Sequence, residues 1–159
     1  MGVTISQHAR IEILASPSTV RSVFLDFQRY SQWQDVFQIE PITPGQNPTE
    51  LKKGDRVKVN MRGFVFRPYI EENSDACLTW AITIPPLFYG THFFFFAPSE
   101  ENPGCTTFIQ REDFQGLVTV PFWPWRNGGK PSEPWEAFNA SLKAEAEKVA
   151  TAAEEGGLT

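Results

Sequence analysis

The stretch GTHFFFFAPSEENPGCTTFIQREDFQGL, residues 90–117, decides the fold. Residues 90–97 and 105–117 are rich in aromatic and β-branched side chains, and they flank a polar segment, 99–104, that contains Asn, Pro and Gly. This pattern predicts two antiparallel strands joined by a turn. The most aromatic part of the chain is therefore expected to be sheet.

The period of two continues upstream of this hairpin. Val57, Val59 and Met61 alternate with basic and amide side chains, as expected of a strand with one buried face. Further strands are predicted at 8–15, 37–42, 64–71 and 77–84, and a loop at 43–54. The chain is therefore expected to form a sheet of about seven antiparallel strands.

Helical spacing is confined to three places. Ser16 followed by Pro17 is a helix start signal, which predicts a short helix to about Phe27 and a second short helix over 29–36. A long helix is predicted at 135–153, with an apolar stripe formed by Trp135, Phe138, Leu142, Ala146 and Val149. The order predicts an α+β fold, with two short helices after strand 1 and a curved sheet wrapped around a C-terminal helix.

That architecture predicts an internal space. A sheet of this size twists and curls, and a single helix about 10–12 Å across is too narrow to fill its concave face. Aromatic residues make up 14% of the chain, so the remaining space is expected to be apolar. An apolar cavity is the usual site for a small ligand.

Composition narrows the classes of partner. A 159-residue chain is expected to form one domain, 1–159, with its last few residues disordered. A net charge of −5 argues against nucleic acid and anionic membranes as general partners. There is no run of about 18 apolar residues, so no membrane span is expected. Two cysteines without a signal peptide predict a reducing, cytoplasmic location.

A series of motifs, in the right order, resembles SRPBCC proteins of the polyketide-cyclase/dehydrase type. The matching motifs are Ser16-Pro17-x-x-Val20, Asp26-Phe27-x-x-Tyr30-x-x-Trp33, Leu78-x-Trp80, Phe88-x-Gly90-x-His92-x-Phe94, Thr107-x-x-Gln110-x-Glu112-x-Phe114 and Phe138-Asn139-x-x-Leu142-Lys143. The resemblance covers nearly the whole chain and implies a helix-grip (START-like) fold with an apolar pocket. The family includes aromatase/cyclases, lipid and sterol carriers, plant allergens, hormone receptors and co-chaperone domains, so the resemblance does not select one function.

His92 and Glu112 are the candidate catalytic residues. Paired residue numbers in a hairpin have a constant sum, so a turn centred near Asn102 places His92 opposite Glu112. A carboxylate beside an imidazole can fix its tautomer and raise its basicity, and such a pair can move a proton between carbon and oxygen. The alternatives are a structural hydrogen bond between strands, or a pair on the outer face.

Other side chains are candidates for contact with the ligand. They are Tyr30, Trp33, Tyr69, Trp80, Tyr89, Phe94, Gln110, Phe114, Trp123, Trp135, Phe138 and Asn139. The irregular segment 118–134 is interpreted either as a lid or as a contact in a homodimer. Two distant histidines and two isolated cysteines give no metal-ligand spacing, so neither a metal nor a cofactor is expected.

Three function classes remain open at this point. The first is a cofactor-independent cyclase, isomerase or dehydratase acting on a polyketide-like or aromatic molecule. The second is a non-catalytic carrier or sensor of a hydrophobic metabolite or lipid. The third is a protein-binding adaptor that uses Phe122, Trp123 and Trp125 as anchors.

Overall fold

A computed structural model describes residues 3–85, 88–116 and 132–157, without the side chains at positions 3 and 5. Trp123 and most of the segment 118–134 lie outside these ranges, and so do the lid, dimer and adaptor hypotheses that depend on them. All statements below concern the described residues.

The order of elements follows the prediction. The strands are β1 (Val3–Ile13), β2 (Phe37–Pro41), β3 (Val57–Met61), β4 (Phe64–Phe66), β5 (Tyr69–Asn73), β6 (Cys77–Ile84), β7 (Phe88–Pro98) and β8 (Thr106–Gly116). The helices are α1 (Pro17–Leu25), α2 (Tyr30–Trp33) and α3 (Glu133–Gly156), with 3-10 turns at Phe27–Arg29 and Pro48–Glu50. The chain is therefore α+β, with two short helices after the first strand and one long helix at the C-terminal end.

The sheet consists of two antiparallel parts that meet at one bridge. Five strands pair in the order β1-β8-β7-β6-β5, and three pair in the order β2-β3-β4. An isolated bridge between Arg56 and Tyr69 joins them, and it keeps the register of the β3–β4 pairs. The predicted strand 64–71 is thus interrupted rather than wrong, because Pro68 has no N–H to donate to the ladder.

One face of the curved sheet points toward the helices. Phe24 of α1 lies at the centre, with its ring centroid 4.8 Å from Phe94, 5.4 Å from Phe96 and 6.0 Å from Phe108. Phe138 of α3 meets the same ring at 6.0 Å. All five rings are buried, so the chain's own side chains fill this part of the predicted internal space.

The long helix is fixed to the sheet by polar contacts. The Leu14 N–H donates to Glu147 Oε1 at 2.9 Å, and Lys143 Nζ donates to the Glu12 carbonyl at 2.9 Å. The first helix, α1, begins as predicted. The Ser16 hydroxyl oxygen caps it by accepting a hydrogen bond from the Thr19 N–H. α3 extends to Gly156, so the tail predicted to be disordered is helical to that residue.

Two cavities lie outside the space between the sheet and α3. A groove of about 890 Å³ runs between α1 and residues 45–49, and a smaller cavity of about 380 Å³ lies between α2 and the outer side of β2 and β3. Neither is lined by His92. The described residues stop at Gly116, the last residue of β8, and resume at Ser132, just before α3.

Candidate functional site

The predicted pair lies on the concave face of the sheet. The β7–β8 register places His92 opposite Glu112, as the hairpin arithmetic predicted. Their side chains are only 6% and 14% exposed, and His92 Nδ1 lies 3.8 Å from Glu112 Oε2. The alternative of a pair on the outer face is therefore excluded.

Aromatic rings enclose the imidazole. The Phe94 ring stacks on His92 at 4.2 Å with an interplanar angle of 10°, and Trp135 and Trp80 meet it edge-on at 5.0 and 5.7 Å. Removal from water disfavours a charged imidazole. Burial lowers the pKa of His92 to about 3, and the hydrogen bond to Gln110 acts in the opposite direction as the smaller cause.

Gln110 fixes the tautomer of His92. The Trp135 carbonyl, 3.5 Å from Gln110 Nε2, only accepts hydrogen bonds, and the same Nε2 donates to Asn139 Oδ1 at 2.6 Å. The amide oxygen of Gln110 therefore faces His92 Nε2 at 2.9 Å, and that nitrogen must carry the proton. The Nδ1 lone pair is left pointing toward Glu112.

Glu112 is held in its protonated form. Burial, followed by the nearby charge of Asp113, raises the pKa of Glu112 to about 8. Near neutral pH the contact is therefore a carboxylic acid beside an uncharged imidazole and not an ion pair. The 3.8 Å separation is too long for a direct hydrogen bond, so a third group can interact with both.

Gln7 is a site residue that the sequence analysis did not single out. It lies opposite Glu112 in the β1–β8 register, and its Oε1 is buried with no hydrogen-bond partner among the described residues. The predicted first strand began at residue 8, one position too late to include it. Its place depends on pairing between the first and last strands, for which the sequence carries no local signal.

Several predicted ligand contacts surround the pair. Trp80, Phe94, Gln110, Trp135 and Asn139 contact His92 directly or through Gln110. Phe114 follows Glu112 on the same face of β8 and is 8% exposed. Opposite it, Gly90 leaves space for the Phe88 ring, which would lie 2.9 Å from a Cβ at that position.

Three further candidates form a separate cluster. Tyr30 packs at 5.5 Å on Phe27, at 5.0 Å on Trp33 and at 5.8 Å on Phe138. Its hydroxyl donates to the Phe24 carbonyl at 2.5 Å, and burial raises the pKa of Tyr30 well above its ordinary value. These contacts give Tyr30, Trp33 and Phe138 a structural role in joining α2 to α3.

The predictions for Tyr69 and Tyr89 are corrected. Ile70 faces the interior opposite Trp80, so its neighbour Tyr69 faces outward, where its hydroxyl lies 3.2 Å from Thr83 Oγ1. Tyr89 lies three residues before His92 and pairs with the exposed Gln115. Because successive side chains of a strand alternate between faces, neither tyrosine lines the interior.

Several solved structures have the same arrangement of helices and strands as this chain. Norcoclaurine synthase from Thalictrum flavum in complex with a transition-state analogue superimposes with a TM-score of 0.66 at 10% identity, over 93% of this chain and 97% of that chain. A START superfamily protein from Mycobacterium smegmatis gives a TM-score of 0.59 at 16% identity, over 92% and 98%. The chain has the START-like helix-grip fold.

Another protein with the helix-grip fold is an aromatase/cyclase. The Zhui aromatase/cyclase from Streptomyces sp. R1128 matches with a TM-score of 0.59 at 14% identity, over 92% of this chain and 95% of that chain. No protein-family profile and no curated protein matches the sequence. In the described part of this helix-grip chain, no helix is long and apolar enough to cross a membrane.

Proposed function

We propose that the chain binds a small hydrophobic molecule, polyketide-like or aromatic, beside His92 and Glu112, and catalyses its cyclisation, isomerisation or dehydration without a cofactor. One observation carries the proposal. The side chains of His92 and Glu112 are buried on a ring-lined face, with Nδ1 and Oε2 3.8 Å apart. Such a pair combines a proton donor and a proton acceptor in one site.

The pair suits the enolisation of a carbonyl compound. Nδ1 of His92 takes a proton from the carbon next to the carbonyl, while Glu112 donates its proton to the carbonyl oxygen. The products are an enol, an imidazolium and a carboxylate, so charge and protons balance. Return of the two protons gives isomerisation when the carbon proton is placed elsewhere, and attack of the enol on a second carbonyl gives ring closure.

Gln110 favours the charged imidazole that this transfer forms, whereas burial by the surrounding rings opposes it. The Gln110 oxygen accepts from His92 Nε2–H and continues to do so when the ring becomes positive. The new charges lie next to each other, and their attraction is stronger in a site with little water than in bulk solvent. The rings of Phe94, Trp80 and Trp135 keep water from the imidazole and hold it neutral before reaction.

The test uses 2-tetralone, an aromatic ketone with acidic C–H bonds. Its hydrogen–deuterium exchange in D₂O is followed by proton NMR with wild-type protein, His92→Gln and Glu112→Gln. We expect the protein to accelerate exchange, and each variant to lower that acceleration by at least about 100-fold, the usual contribution of a general acid or base. Glu100→Gln, an exposed carboxylate on the β7–β8 turn, is the matched control.

Exchange at the buffer rate with wild-type protein contradicts catalysis of this class. Exchange by both variants at the wild-type rate removes His92 and Glu112 from the mechanism. Each variant's free energy of unfolding is measured alongside, so that loss of the fold is not mistaken for loss of chemistry.

The second candidate function is a carrier or sensor that leaves its ligand unchanged. The separation of Nδ1 and Oε2 favours it equally, because both atoms can bind a ligand hydroxyl without transferring a proton. Native mass spectrometry of protein purified from its own host distinguishes the two. A retained molecule that is unchanged by incubation with fresh protein supports the carrier, whereas its conversion supports the enzyme.

A further inference from the structure

We propose that Gln7 Oε1 accepts a hydrogen bond from a hydroxyl group of the bound molecule, so that the site selects phenols and enols over analogues without an O–H. This inference rests on the proposed binding function and assigns a chemical class to the ligand.

The strand pairing places Gln7 on the face of the sheet that points toward the helices. Ala9 and Ile13, which lie on the same side of β1 as Gln7, are 8% and 0% exposed, whereas its neighbours Ser6 and His8 are exposed. Gln7 is paired with Glu112, which in turn is paired with His92 on the next strand. Three polar side chains thus stand in a row across β1, β8 and β7, on the face that carries Phe94 and Phe114.

One acceptor in this row has no partner among the described residues. Gln7 Oε1 is a buried acceptor without a partner among the described residues, and the lone pair of His92 Nδ1 is a second acceptor. An unpaired buried amide oxygen is unfavourable, so the row is completed by a molecule that brings a donor.

An O–H group satisfies this requirement and an ether does not. A phenol or enol donates one hydrogen bond to Gln7 Oε1 while its ring lies on the apolar face. An O-methyl analogue presents only an acceptor and leaves Gln7 Oε1 desolvated and unpaired. Sites built around a substrate hydroxyl reject analogues lacking it for this reason.

The experiment compares 2-naphthol with 2-methoxynaphthalene by tryptophan fluorescence titration. We expect wild-type protein to bind 2-naphthol about tenfold more tightly, as expected for one hydrogen bond to a buried group. Gln7→Met keeps the length of the side chain and removes the amide oxygen, so it is expected to abolish the preference while 2-methoxynaphthalene binds as before. Gln115→Met is the same substitution at an exposed position of β8 and should keep the preference.

Each outcome of this titration supports or contradicts the proposed role of Gln7. Equal binding of both probes by wild-type protein, or a preference that survives in Gln7→Met, overturns the role of Gln7 and leaves the proposed function standing. An equal loss of both probes in Gln7→Met shows a structural role and also overturns it. If neither probe binds wild-type protein, the binding function itself fails, and the inference falls with it.

Discussion

At the scale of single residues, His92 and Glu112 depart from their ordinary titration in opposite directions. The pKa of His92 falls from 6.5 to about 3 on folding, so the unfolded chain binds the extra proton between these values and stability is lost as the pH falls. The pKa of Glu112 rises from 4.5 to about 8, so the folded chain keeps its proton and stability is lost as the pH rises. Between pH 4.5 and 6.5 the two effects cancel.

Glu112→Gln should therefore remove the decline of stability above neutrality. We expect wild-type protein to lose up to about 1.4 kcal/mol of unfolding free energy per pH unit between pH 6.5 and 8 through this group. The variant should lack that slope and be more stable than wild type at pH 8. Urea unfolding across the pH range measures it, with Glu100→Gln as control, and parallel curves for wild type and Glu112→Gln would contradict the buried acid.

The tautomer of His92 is a second prediction at this scale. Long-range ¹H–¹⁵N NMR at pH 7 should show Nε2 protonated and Nδ1 unprotonated, because Gln110 offers its oxygen to Nε2. His8, the other histidine, is exposed and serves as an internal reference. Gln110→Met should weaken this tautomer preference, and an Nδ1–H signal for His92 in the wild type would show that Gln110 has the opposite orientation.

At the scale of elements, the ring of Phe24 packs α1 against both the sheet and α3. Phe24→Ala is expected to lower the free energy of unfolding by about 3–5 kcal/mol, since it removes a fully buried ring from contact with five others. Phe64→Ala on β4 is the matched control because its ring is 43% exposed. Equal losses in urea unfolding for the two variants would mean that the Phe24 cluster is not the centre of the core.

The predictions for elements succeeded where pairing is local. His92 and Glu112 are joined by a single turn, and the register of β3 with β4, which the bridge between Arg56 and Tyr69 continues, follows from a hairpin at Arg62 and Gly63. Tyr89 was placed wrongly although alternation alone, counted from His92, puts it on the outer face. Gln7 could not be found, because its position depends on β1 pairing with β8 about a hundred residues later.

At the scale of the whole molecule, space for a ligand decides between the functions. The cluster around Phe24 closes one part of the interior, whereas neither of the two cavities described above is lined by His92 or Glu112. The sequence could predict that a curved sheet around one helix leaves space, but not how far each ring enters it. The ligand and the reaction remain predictions for this reason.

Ligand binding should stabilise the whole fold. For 2-naphthol at a free concentration of about 100 times its dissociation constant, linkage gives an increase of about 2.7 kcal/mol in the free energy of unfolding. Thermal unfolding with increasing 2-naphthol measures the effect, and the increase should be smaller for Gln7→Met at the same concentration. A transition temperature that stays constant up to the solubility limit of 2-naphthol would show that the interior is closed.

The alternation of β7 has a consequence for how this site can diversify. His92, Phe94 and Phe96 face the interior, while Phe93 and Phe95 stack 5.7 Å apart on the outside. Deleting or inserting one residue between Gly90 and His92 would reverse the parity of the strand and turn the imidazole outward. Descendants of this chain can therefore change its chemistry by substitution within β7, whereas changes of length are confined to the turn between Pro98 and Thr106.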